Sequence, residues 1–159
     1  MSMRAKVRWP IVALALAAGA AFAVSVQAGR WWSVGGFEIG PSGSYRCFSG
    51  ECKTTGLGWI GGSERWMRTG TGAWTAGLIS MLLLIAVAAA AAAGRAPRLL
   101  AKTALVSIAT AAVTGALFVV EFPGVQGASA DRGMWLFVAA IVLGAAACIA
   151  VLRASRASR

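Results

Sequence analysis

Four stretches of this chain carry no charge, and each is long enough to cross a lipid bilayer. They run from Trp9 to about Ala28, from Trp74 to Ala93, between Lys102 and Glu121, and between Arg132 and Arg153. Crossing roughly 30 Å of hydrocarbon takes about 20 helical residues. A transmembrane β-strand needs only about 10 and alternates in polarity, so these stretches read as helices. Composition agrees, since 58% of the 159 residues are hydrophobic and 13% charged, against about 25% charged in soluble domains. A chain this short cannot hide so much apolar surface in one core. The expected fold class is an all-α membrane protein: one domain over residues 1–159, with helices at about 9–28, 72–94, 102–121 and 133–152.

The charges predict a direction. Arg4, Lys6, Arg8, Arg95, Arg98, Lys102, Arg153, Arg156 and Arg159 fall on one side of the membrane, with no acidic residue among them. The other side holds Arg30, Arg46, Lys53, Arg65, Arg68 and Arg132 together with every acid: Glu38, Glu51, Glu64, Glu121 and Asp131. The positive-inside rule then places both termini in the cytoplasm and the two longer connections outside. The membrane is the plasma membrane, or the inner membrane in a bacterium. Topology and anionic headgroups account for the formal charge of +10, so no nucleic-acid partner is expected. The first span also resembles a signal peptide, with a basic start, an apolar run from Ile11 to Val24 and Val26-Gln27-Ala28 as a cleavage site. Its length favours retention, and cleavage would leave three spans.

The spans are rich in small residues at four-residue spacing: Ala15, Gly19 and Ala23; Ala111 and Gly115; Ala140, Gly144 and Cys148. Such ridges let helix backbones approach closely where lipid supplies no hydrophobic drive. Trp9, Trp74 and Trp135 sit near span ends, where an aromatic belt is expected. Thr103, Ser107, Thr110 and Thr114 form a polar stripe expected to bond to its own helix or to a neighbouring one. Glu121, at the outer end of the third span, is expected to be solvated.

Residues 29–70 form a long outer cap between the first two spans, with 11 of the 20 glycines. Phe37-Glu38-Ile39 and Tyr45-Arg46-Cys47 alternate as half-buried strands do. Cys47 and Cys52 flank Phe48-Ser49-Gly50-Glu51, which reads as a hairpin with Ser-Gly at its apex. Two cysteines opposed across a hairpin suit a structural disulfide, and the cap is expected to be β-rich and pinned by that bond. The candidate partner contacts are Trp31, Trp32, Phe37, Tyr45, Phe48, Trp59 and Trp66, because aromatic residues supply large contact area at little entropic cost.

Four spans, cytoplasmic termini, an early Trp at position 31 or 32 and the later pair Cys47 and Cys52 together resemble the claudin and peripheral-myelin-protein superfamily. The resemblance implies a tetraspan that makes contacts through its first outer loop. The sequence departs from that pattern in having no Gly-Leu-Trp before Cys47, while Gly56-Leu57-Gly58-Trp59 follows Cys52.

The chain has no His and no Asn, which removes Ser-His-Asp and Cys-His catalysis and His-ligated zinc. No acid–base pair or metal cluster is evident, so neither catalysis nor a cofactor is expected. The leading expectation is a non-catalytic structural, adhesion or accessory subunit. Its partners are the lipid bilayer and either a second copy or another membrane protein. A small channel or transporter subunit is the alternative, although no ionisable residue lies inside a span. A membrane thiol oxidoreductase is a further alternative, weakened because Cys148 has no partner for an electron relay.

Overall fold

A computed structural model describes residues 5–27, 30–48 and 51–156, without the side chains of Ala5, Lys6, Cys47, Phe48 and Cys52. The elements in chain order are helix α1 (Ala5–Gln27), strands β1 (Trp32–Val34), β2 (Phe37–Gly40), β3 (Gly43–Phe48) and β4 (Glu51–Thr55), and a 3₁₀ turn at Gly58–Ile60. Helices α2 (Glu64–Ala92) and α3 (Arg98–Val120), strand β5 (Ser129–Ala130) and helix α4 (Arg132–Arg156) complete the chain. All four helices are long and apolar enough to cross a membrane, as expected of a multi-pass membrane protein.

Helix α1 packs against α2 and α4, and α2 packs against α3, while the α3–α4 seam is looser. The small-residue ridges lie inside this bundle: Ala15, Ala111, Gly115, Ala140, Gly144 and Cys148 are all buried. Their role is steric. A Cβ on Gly115 would sit 2.5 Å from the Phe137 ring, and one on Gly77 would sit 2.7 Å from Val26. Close approach of this kind gains dispersion contacts without any help from water.

The threonine hydroxyls along α3 are satisfied within their own helix. Thr110 and Thr114 donate their hydroxyls to the carbonyls of Val106 and Thr110, and Thr103 donates to Leu100. Ser107 departs from that pattern, sharing a hydrogen bond of 2.9 Å with Ser80 on α2. At the end away from the sheet, Arg98 donates from Nε to Ser155 Oγ and from a terminal nitrogen to the Ser155 carbonyl, at 2.6 and 2.8 Å. This fastens the start of α3 to the last turn of α4. A cation there also meets the negative end of the α4 dipole.

Helix α2 begins at Glu64, where hydropathy places the start near residue 72 and the cap extends to residue 70. The cause is visible in the first turn. Ser63 caps the helix by accepting the Trp66 amide at 3.1 Å, Glu64 bonds to Arg68 one turn later at 2.6 Å, and Trp66 is fully buried. Capping is worth about 1 kcal/mol and burial of a Trp considerably more. Together they hold in helix a segment whose glycines and charges argue for a loop.

The five strands make one antiparallel sheet in the order β4-β3-β2-β1-β5. The two alternating runs seen in the sequence are β2 and the middle of β3. The hairpin is also as expected, with Cys47 directly opposite Cys52 and Phe48 opposite Glu51. Strand β5 comes from the second connection, so both loops at this end build a single cap.

Candidate functional site

The cap is fixed to the bundle by a shared aromatic core. Trp66 stacks on Phe118 with 4.9 Å between centroids, and Trp32 stacks on Phe122 at 4.3 Å. Trp31 meets Phe118 and Phe137 at 5.6 and 4.7 Å, and Phe137 meets Phe22 edge-on at 5.5 Å. Every helix and the first strand contribute to this cluster. The indole nitrogens are satisfied, since Trp66 Nε1 donates to the Phe118 carbonyl at 2.9 Å and Trp31 Nε1 to the Ser25 carbonyl at 3.3 Å. Aromatic pairs add about 0.5–1.5 kcal/mol each beyond their buried area, so the cluster opposes separation of the sheet from the helices.

The start of α4 is joined to the residues that lead into the first strand. Asp131 N donates to the Trp31 carbonyl and Gly133 N to the Arg30 carbonyl, both at 2.8 Å. Ser25 of α1 donates in turn to the Gly133 carbonyl at 2.8 Å. Helix α1, the segment leading into β1 and the start of α4 are therefore tied together at Gly133.

Above this core the sheet has two distinct faces, because directly paired residues share a face and neighbours alternate. The row nearest the bundle is Trp32, Ile39, Ser44 and Thr55, the first three of them buried. The next row on that face is Val34, Phe37, Arg46 and Lys53. Trp59, from the 3₁₀ turn, leans against this row. Its ring lies 4.8 Å from Phe37, its Nε1 donates to Ser44 Oγ at 2.7 Å, and 45% of its surface stays exposed. The Arg46 guanidinium lies 4.8 Å over the other ring, Phe37.

The opposite face carries Ser33, Glu38, Tyr45 and Thr54. An open cavity of about 370 Å³ lies here, bounded by Gln27, Arg30, Glu38, Tyr45, Thr54 and neighbouring backbone. Glu38 accepts an ion pair from Arg30 at 2.7 Å. Ser33 and Ser129 share a hydrogen bond of 3.1 Å that ties β5 to β1.

These positions correct part of the sequence reading. Trp31, Trp32 and Trp66 are interior residues that hold the cap in place, and they offer no surface to a partner. Phe37 is half-buried between Arg46 and Trp59, whereas Tyr45 and Trp59 are exposed. The Phe48 side chain and the Cys47–Cys52 disulfide lie outside the described residues. Glu121 is largely covered, not solvated. It accepts from Arg65 at 2.9 Å, and its second oxygen is buried with no partner among the described residues. Phe22, Phe118, Phe122 and Phe137 were not singled out from sequence. Their signal was present, since all four lie within about two turns of a span end on the same side of the membrane.

Among the described residues no three His, Cys, Asp or Glu side chains gather as metal ligands. The cap presents an exposed cationic and aromatic face on one side and an open polar cleft on the other. Compared with known proteins, the chain matches no family model and no curated sequence.

Proposed function

We propose that this chain is a non-catalytic four-span membrane protein that serves as a structural, adhesion or accessory subunit through its cap. The observation that carries this reading is the shared aromatic core, which joins the sheet to all four helices. A connector of this length has no need of such rigidity, since helix–helix links usually take about 2–8 residues. A recognition surface gains from it, because a preorganised face binds without an ordering cost. The exposed side chains of differing chemistry Tyr45, Arg46, Lys53 and Trp59 lie on this cap, while between the charged helix ends the exposed helix surface is mainly Ala, Val, Ile and Leu with back-bonded Thr, joined by Trp9 and Trp135 near the span ends.

The orientation belongs to the same proposal: both termini cytoplasmic and the cap outside, on the distribution of Arg and Lys. So does a Cys47–Cys52 disulfide. Directly opposed Cα atoms in an antiparallel ladder are about 4.5–5.5 Å apart, within the range such a bond needs, and an outside location supplies the oxidising conditions. The resemblance to the claudin and peripheral-myelin-protein superfamily supports a contact role of the same general kind. Conduction through a single copy is disfavoured by Phe22, Phe118 and Phe137, which fill the bundle beneath the cap.

Site-specific photo-crosslinking in intact cells tests the reading. A crosslinker placed at Thr54 or Trp59 should give discrete protein adducts, whereas one at lipid-facing Val113 should not. Adducts at Val113 and none on the cap would move recognition to the helix faces.

A further inference from the structure

The cleft on the Glu38 face is built from residues that the aromatic core does not use. Its floor is the cross-strand row Glu38, Tyr45 and Thr54, and Gln27 and Arg30 bound it toward α1. Its volume of about 370 Å³ falls in the range of small-ligand sites. Both charged groups are held in place by backbone. Glu38 lies within the paired strand β2, and the Arg30 carbonyl accepts the Gly133 amide at 2.8 Å. Their side chains meet at 2.7 Å, yet stay 38% and 25% exposed for Arg30 and Glu38. Tyr45 and Thr54 are exposed beside them.

We infer that this cleft holds the headgroup of a phosphatidylethanolamine from the adjoining leaflet, with Arg30 taking its phosphate and Glu38 its ammonium. The ion pair selects the charge type. In an open cleft such a pair contributes little by itself, so a ligand can part it if both partners are replaced. A lone anion would take Arg30 from Glu38, and a lone cation would take Glu38 from Arg30. A zwitterion compensates both, each with a charge-assisted hydrogen bond. The row beneath selects the amine. A primary ammonium has three N–H donors, matching the Glu38 carboxylate and the Tyr45 and Thr54 hydroxyls, whereas a trimethylammonium has none. The C-terminal end of α1 adds a dipole that also favours a cation. Position indicates the lipid. Gln27 ends a helix long and apolar enough to cross a membrane, and it heads an exposed stripe of Val24, Ala20 and Leu16 on one face of that helix. Acyl chains lying along this stripe bring their headgroup to the level of the cleft.

Native mass spectrometry of the delipidated full-length chain in detergent tests this, with phosphatidylethanolamine, phosphatidylcholine and phosphatidylglycerol offered at equal concentration. Wild type should retain phosphatidylethanolamine in about tenfold preference to either competitor. Glu38→Gln should abolish that preference, and Tyr45→Phe, at an exposed position, should reduce it. Glu64→Gln, in the exposed pair with Arg68 on α2, should leave it unchanged. Unchanged circular dichroism and elution volume would show that the variants are folded. Equal retention of the three lipids by wild type, or an undiminished preference in both Glu38→Gln and Tyr45→Phe, overturns the inference. Displacement of the lipid by free phosphoethanolamine at equal concentration would overturn it in favour of a soluble zwitterion.

Discussion

Replacing Gly133 with alanine probes the joint between the cap and α4, and the structure predicts its sign. A Cβ at this position would lie 2.4 Å from the Arg30 carbonyl oxygen and 2.8 Å from its carbon. Ordinary contact begins near 3.4 Å, so the segment leading into β1 and the start of α4 must separate by about 1 Å. The Gly133–Arg30 hydrogen bond, now 2.8 Å, would then exceed the length at which such a bond holds. Relieving the overlap costs about 1–3 kcal/mol and the lost bond about 1 kcal/mol. The gain in helix propensity is at most about 1 kcal/mol. The net expectation is destabilisation by about 2 kcal/mol. Gly19→Ala is the control, because a Cβ there finds nothing nearer than 3.7 Å, and stabilisation of up to about 1 kcal/mol should follow. Reversible unfolding by SDS in mixed micelles, followed by tryptophan fluorescence, measures both, and limited trypsin digestion reports whether the cap has loosened. If Gly133→Ala stabilises as Gly19→Ala does, the close approach of that segment to α4 is wrong.

Trp66→Ala should cost about 3–5 kcal/mol in the same assay and expose the cap to trypsin; a loss below 1 kcal/mol would mean that Trp66 does not support Phe118. Ser107→Ala removes the bond to Ser80 within the bundle and should cost only about 0.6 kcal/mol, so a loss of several kcal/mol would reveal a larger role for that pair. Thiol labelling of intact cells should reach Ser42→Cys and not Ser2→Cys in a background lacking the native cysteines, and labelling at position 2 would refute the orientation. The Cys47→Ser, Cys52→Ser double variant should insert normally with a more protease-sensitive hairpin, whereas reversible redox cycling of the native pair at physiological potential would replace the structural assignment with an electron-transfer one.

Much of this fold was written in local chemistry. The helices α1, α3 and α4 end within about four residues of where charge interrupts the apolar runs, because lipid tolerates neither an unpaired backbone nor a bare charge. The β2 strand and the β3–β4 hairpin were legible from two-residue alternation and from the Ser49-Gly50 pair, which are again local properties. The small-residue ridges faced inward as their spacing implied, with Ala23 half-buried at the edge.

What only the tertiary structure decided depends on partners distant in the chain. The helix at Glu64–Gly70 has an unremarkable cap, yet Trp66 gains its place against Phe118, 52 residues away. Strand β5, two residues long, carries no pattern of its own and exists because β1 offers it an edge. The aromatic residues were sorted in the same way. Trp31, Trp32, Trp59 and Trp66 look alike in the sequence, but three were drawn into the core where Phe22, Phe118, Phe122 and Phe137 meet. Trp59 alone was left outside, beside Arg46 and Lys53. Hydropathy tells a segment which solvent it prefers, whereas burial depends on which neighbours the topology brings to it.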